Sequence, residues 1–150
     1  SDRLLIMSYD FHKARGNPGP NFPLNGKQEY GYDFKTMISD YLKEAPPQKI
    51  VPIFGYFGYD WPVTSDGTAE SNGTAKSLNL INSNFIDSCS QSECKWVRDQ
   101  TSGETKVTYI DEEGESHVIW FEDPGSVKLK KDFLKQKGIN SSGAWAYSYF

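Results

Sequence analysis

Three stretches set acidic or polar-tipped side chains beside aromatic rings at the ends of apolar runs. They are Tyr9-Asp10, Tyr59-Asp60-Trp61, and Trp145 with Tyr147. A carboxylate next to an open ring can hydrogen-bond the hydroxyls of a sugar while the ring stacks on the pyranose face. The same residues also occur where a Trp fills a core or a Tyr-Asp pair closes a turn. Aromatic residues make up 15% of the chain, a stock that suits cores, interfaces and sugar platforms alike, so composition does not choose among them.

The elements that would hold these residues can be read from periodicity. Residues 3–8 are short and almost continuously apolar, which predicts a strand buried on both faces, as in a parallel sheet covered by helices. A Gly/Pro/Asn-rich loop occupies residues 16–26. Phe34, Met37, Ile38, Tyr41 and Leu42 recur at helical spacing, predicting a helix over 33–44 with Asp33 as cap and Pro46-Pro47 as stop. A second apolar strand runs from Lys49 to Phe54 and leaves through the aromatic, Gly-punctuated segment 55–61. Strand, helix and strand at this spacing form a βαβ unit. In a barrel of such units the strand exits converge on one mouth.

Beyond residue 61 the pattern changes. Residues 62–77 are polar and Gly-rich, 78–87 suit a short helix, and 95–100, 104–110 and 116–121 read as antiparallel strands with turns at Ser102-Gly103 and Glu113-Gly114. The βα pattern resumes at Asp123-Pro124, with a helix ending near Gly138 and a last strand at 143–147. The expected organisation is a βαβ unit over 1–61, an α+β insertion over 62–122, and a final helix and strand over 123–150. A chain that starts on one buried strand and finishes on another reads as part of a larger barrel. Its open strand edges invite self-association or pairing with the missing half.

Net charge is −4 without a dense basic cluster, which disfavours nucleic acid; Lys128, Lys130, Lys131, Lys135 and Lys137 are expected on a solvated helix face. No apolar run is long enough to span a membrane. Cys89 and Cys94 are either independent thiols or a loop-closing disulfide, and the bridged form implies an oxidising compartment. The pair lacks the neighbouring Cys or His that a zinc site needs, because His12 and His117 are distant in sequence. No metal or cofactor is expected. The acidic run Asp111-Glu112-Glu113-Gly114-Glu115 reads as a solvated turn. Asn72-Gly73-Thr74 and Asn140-Ser141-Ser142 match the glycosylation pattern.

Four segments, taken in order, carry a family resemblance. Met7-Ser8-Tyr9-Asp10-Phe11 resembles the sixth-strand motif of glycoside hydrolase family 18, Met-x-Tyr-Asp. Phe57-Gly58-Tyr59-Asp60-Trp61 is similar to the exit of the seventh strand. His117 to Asp123 resembles the segment leading into the seventh helix, and Gly143-Ala144-Trp145-Ala146 resembles the eighth strand with its Trp. The resemblance implies an α/β fold: strands six to eight of a (β/α)8 barrel, with a small α+β insertion between strand seven and its helix.

The resemblance also implies retaining hydrolysis of β-1,4 bonds next to N-acetylglucosamine, with the acetamido oxygen of the substrate as nucleophile. Tyr9 would hydrogen-bond that acetamido group and Asp10 would hold sugar hydroxyls. Trp145 would floor the site and Met7 would line the barrel interior beneath it. Tyr59, Asp60, Trp61 and Tyr147 are the further candidates for substrate contact. The family's acid lies in a fourth-strand motif, Asp-x-x-Asp-x-Asp-x-Glu, that fits no segment here. The implied roles are therefore a hydrolase portion without its acid, inactive alone, or a non-catalytic, lectin-like binder of N-acetylglucosamine glycans. An extracellular or cell-wall location accords with either.

Overall fold

A computed structural model describes residues 3–87, 89 and 94–149. Two sheets organise it. The first is parallel, with β1 (Leu4–Ser8) and β8 (Gly143–Trp145) flanking β2 (Ile50–Gly55). The second is antiparallel and ordered β4-β3-β7-β6-β5, built from β3 (Phe57–Pro62), β4 (Thr74–Ser77), β5 (Cys94–Arg98), β6 (Thr105–Ile110) and β7 (Ser116–Phe121). The segment after β2, expected as a loop-like exit, is thus a strand of its own. The chain changes sheets at Tyr56, whose N–H donates to the Trp145 carbonyl at 2.8 Å. A β-carbon on Gly58 would strike the Trp120 carbonyl, so only glycine lets β3 lie this close to β7.

One face of the parallel sheet is covered. Helix α1 (Lys27–Tyr30) is a single turn, whereas α2 (Phe34–Glu44) buries Phe34, Met37 and Ile38 against Ile6, Ile50 and Phe54. Asp33 caps α2 by accepting the Thr36 N–H at 2.7 Å, and its other oxygen accepts from Gly26 and Lys27. The short α3 (Leu78–Ile81) seals the second sheet with Val107, Ile119 and Phe121. Helix α4 (Pro124–Gln136) starts on a capping box between Asp123 and Ser126 and adds Val127 and Leu134 to the main core. The opposite face is open along β1, where Leu5 and Met7 are 64% and 68% exposed. Strand β1 therefore alternates rather than being buried on both faces, because no helix among the described residues covers that side.

The lysine face of α4 needs a correction. Lys128 is exposed and pairs with Asp132, but Lys130 is fully buried. It sits three residues after Val127 and four before Leu134, so helical geometry turns it inward. Its ammonium lies 3.2 Å from Glu104 Oε1 and 2.5 Å from Glu122 Oε2, and the Ser126 hydroxyl donates to Glu122 at 2.6 Å. Both carboxylates are also fully buried. Burial, opposed by Lys130 and reinforced by the Glu104 charge, pushes the Glu122 carboxyl up to about 7. One cation cannot fully satisfy two enclosed carboxylates.

This arrangement sets a pH dependence. Between the ordinary Glu value of 4.5 and about 7, the folded chain holds a proton that the unfolded chain has released. Stability is then highest below pH 4.5 for this group and falls as pH rises toward 7, by on the order of 2–3 kcal/mol. Glu122→Gln is expected to flatten that slope in urea unfolding curves measured across the same window. An unchanged slope would contradict the shared-cation account.

Candidate functional site

The C-terminal ends of β1, β2 and β8 meet at one rim, where the parallel register aligns Ser8 with Phe54 and Gly55 with Trp145. Strand β3 rises from that rim and brings Tyr59 over the residues that follow β1. Tyr9, Asp10, Phe57, Tyr59, Lys76 and Trp145 line a cleft of 290 Å3. The Tyr9 and Trp145 rings lie nearly parallel, 23° apart with centroids at 6.5 Å, and Phe57 meets Tyr9 edge-on at 5.8 Å. Trp145 is 52% exposed, so a large apolar ring remains open at the rim. Gly55 carries no β-carbon because Phe57 and Tyr9 pack directly against it.

Asp10 is the best-fixed polar group of the cleft. Its φ is 61°, the left-handed region that Asp adopts more readily than most residues because its short polar side chain can hydrogen-bond locally. Its N–H donates to Asn21 Oδ1 at 2.7 Å, and its Oδ1 accepts the Tyr59 hydroxyl at 2.7 Å. Its Oδ2 makes no hydrogen bond among the described residues, which leaves it available as an acceptor for a ligand hydroxyl. Burial, together with that bond to Asp10, raises the Tyr59 phenol well above its usual range, so Tyr59 stays a neutral donor. Tyr9 is raised for the same reasons, burial first and then the Asp10 charge.

Asn21 is itself fixed from three sides. Its Nδ2 donates to the carbonyls of Phe57 at 3.1 Å and Gly55 at 3.4 Å. Its backbone N–H donates to Glu104 Oε2 at 2.6 Å, while Phe22 N–H donates to Glu104 Oε1 at 2.7 Å. The loop after β1 is thereby tied to the second sheet and, through Lys130, to α4.

Four of the residues singled out from sequence come together in the cleft: Tyr9, Asp10, Tyr59 and Trp145. The others do not line it. Met7 lies on the open face of β1, and Tyr147 is 92% exposed beyond β8. Trp61 is fully buried among Val63, Val118 and Trp120, with its indole N–H donating to the Ala14 carbonyl at 3.2 Å. Asp60 is buried and held by Tyr109, His117 and Lys76. Residues on a strand alternate between its faces, which turns Asp60 to the far side; Trp61 shares the face of Tyr59 but packs against it and is held by the Ala14 carbonyl. Sequence reasoning missed Asn21 and Glu104, whose burial has no periodic signature, and Lys76, which borders the cleft on β4 while its ammonium pairs with Asp60. Cys89 and Cys94 are joined as a disulfide.

The family model for glycosyl hydrolases family 18 matches residues 1–149. The chain is 28% identical over 145 residues to the cortical fragment-lytic enzyme of Bacillus anthracis, covering 96% of this chain and 31% of that protein. Di-N-acetylchitobiase of Rattus norvegicus is 27% identical over 168 residues, covering 96% of this chain and 42% of the relative. The class V chitinase of Nicotiana tobaccum, solved in complex with NAG4, has the same fold, with a TM-score of 0.82 at 17% identity. That match covers 99% of this chain and 45% of the chitinase. The chain spans about a third of the length of the bacterial relative and under half of the other two. The mixed α/β fold is that of the chitinase-type domains.

Asn21→Ala removes the acceptor for Asp10 N–H and the donor to two buried carbonyls. It is expected to cost about 2–4 kcal/mol in thermal or urea unfolding and to accelerate hydrogen exchange at the Asp10 amide. Unchanged protection at Asp10 would mean that Asn21 does not hold it.

Proposed function

The chain belongs to family 18 of the glycosyl hydrolases, and from that premise we propose that it supplies the C-terminal part of the barrel of a retaining glycosidase acting on β-1,4-linked N-acetylglucosamine polymers. The observation that carries this reading is the cleft itself. An open Trp145 ring lies beside the nearly parallel Tyr9, and Asp10 is pinned so that one carboxylate oxygen stays available. In this reading β1, β2 and β8 are strands six, seven and eight. The antiparallel sheet, beginning at Phe57, is the insertion that precedes the helix after strand seven. Met7, Leu5 and the free edges of β1 and β8 are surfaces for the rest of the barrel or for a second copy of the chain. The names of the two curated relatives, a cortical fragment-lytic enzyme and a di-N-acetylchitobiase, support a cortex polymer and chitobiose as the substrate classes.

The chemistry is the one that the family resemblance implies, and the positions of the cleft residues are compatible with it. A pyranose seated on Trp145 brings its acetamido group toward Tyr9, whose neutral hydroxyl donates to the acetamido oxygen as that oxygen attacks the anomeric carbon. Asp10 accepts from a sugar hydroxyl and, through Tyr59, keeps a fixed orientation while positive charge develops on the ring. The leaving oxygen takes its proton from a Glu that this sequence does not contain in the family's motif. The chain alone then binds substrate without cleaving it.

Calorimetry with N-acetylchitotetraose and release from a fluorogenic N-acetylchitobioside test this together. Expected are measurable binding, a loss of about ten-fold on Trp145→Ala from the missing stacking surface, and no release above a buffer blank. Binding indifferent to Trp145→Ala would remove the cleft from the account. Release abolished by Tyr9→Phe would mean that an acid within this chain catalyses.

A further inference from the structure

The β6–β7 turn holds polar side chains that the cleft does not use. Asp111 Oδ1 accepts the backbone N–H groups of Glu113 at 3.0 Å and Glu115 at 2.8 Å, which closes the turn. Its Oδ2 is left 3.4 Å from Nε2 of His117, a residue of β7. The other ring nitrogen is already committed, since His117 Nδ1 lies 2.9 Å from the buried Asp60 carboxylate. That carboxylate is in turn fixed by the Tyr109 hydroxyl at 2.6 Å and the Lys76 ammonium at 3.1 Å. The Tyr109 ring stacks on the imidazole at 4.8 Å and 24°, so the ring cannot turn freely.

These contacts fix the tautomer. With Asp60 accepting from Nδ1–H, a neutral His117 presents a lone pair at Nε2. Yet Nε2 is enclosed and takes no hydrogen bond among the described residues. An enclosed nitrogen lone pair with no donor beside it calls for a partner. What faces it is acidic: ligand atoms of Asp111, Glu115 and His117 lie within 4.8 Å of one another. An imidazole backed by a carboxylate and faced by two more carboxylates matches the arrangement by which proteins hold zinc.

We propose that His117 Nε2, Asp111 and Glu115 bind one divalent transition-metal cation of the Zn2+ class, with Asp60 orienting the imidazole. A nitrogen in the ligand set favours such an ion over Ca2+ or Mg2+, which take oxygen ligands. Three protein ligands leave the remaining positions to water. The cation would fasten the β6–β7 turn, through His117 and Asp60, to β3. On β3, Asp60 faces away from Tyr59, so the site lies across the sheet from the cleft.

Zn2+ titrated into the metal-stripped, disulfide-intact chain tests this, read by calorimetry and by the imidazole 15N resonances. Expected are one Zn2+ per chain with micromolar or tighter affinity, a shift confined to the His117 Nε2 resonance, and a raised melting temperature. Asp111→Asn and Glu115→Gln are each expected to weaken binding about ten-fold or more. Glu115 is exposed, so its variant should melt like the wild type in EDTA, which separates loss of a ligand from loss of fold. No Zn2+ binding would overturn the proposal. Binding undiminished in both variants, or equally strong for Ca2+ or Mg2+, would overturn it as well.

Discussion

The carboxylate of Glu104 sits where three parts of the chain meet, and it has no access to water. It accepts the N–H groups of Asn21 and Phe22 from the loop after β1, and it faces the Lys130 ammonium from α4. An enclosed carboxylate without such partners would cost several kcal/mol, so the loop and the helix cannot leave it without strong penalty. From Glu104 the constraint passes to Asn21, then to Asp10, and from Asp10 to the Tyr59 hydroxyl. The polar end of the cleft thus depends on a buried ion pair at the other end of the hydrogen-bond chain. Glu122 shares the same lysine, and burial, opposed by Lys130 and reinforced by the Glu104 charge, draws its carboxyl up to about 7.

The change of sheets at Tyr56 is the second requirement. A parallel sheet can gather residues only at its strand ends, and β1, β2 and β8 deliver Tyr9, Asp10 and Trp145 there. An antiparallel strand that begins two residues after β2 can stand over that rim and aim alternate side chains down at it. Tyr59 reaches Asp10 this way, while Asp60, one residue on, is turned to Tyr109 and His117 on the far face. Gly55 and Gly58 allow the two close approaches that the change of sheets needs. A cleft built from both sheets has an apolar floor in Trp145 and a polar wall in Asp10 and Tyr59.

Much of the frame was legible in the sequence. The apolar runs, the spacing from Phe34 to Leu42, and the caps Asp33 and Asp123 foretold β1, β2, α2 and α4. The turns at Gly103 and Gly114, both with positive φ, marked the β5–β7 meander. The misses have physical causes. Phe57–Pro62 lacks the β-branched alternation of a strand and owes its extended form to pairing with β7. Lys130 is hidden among exposed lysines, and only its helical phase with Val127 and Leu134 betrays it. Asn21 and Glu104 are polar residues in turn-like settings, and their partners lie 83 and 82 residues away. Local sequence carries no sign of a contact at that distance. Tyr9, Asp10, Tyr59 and Trp145 could be named as candidates from sequence, but which of the aromatics share a space was decided by strand register.

The most direct measurement is an NMR titration of N-acetylchitotetraose into the wild-type chain and into Glu104→Gln. Glu104→Gln keeps the shape but removes the charge that organises the loop. The account predicts shifts in the wild type at Tyr9, Asp10, Tyr59 and Trp145, and their loss or marked weakening in the variant while the β5–β7 resonances stay in place. Equal binding by both proteins, or shifts that map away from those four residues, would contradict it.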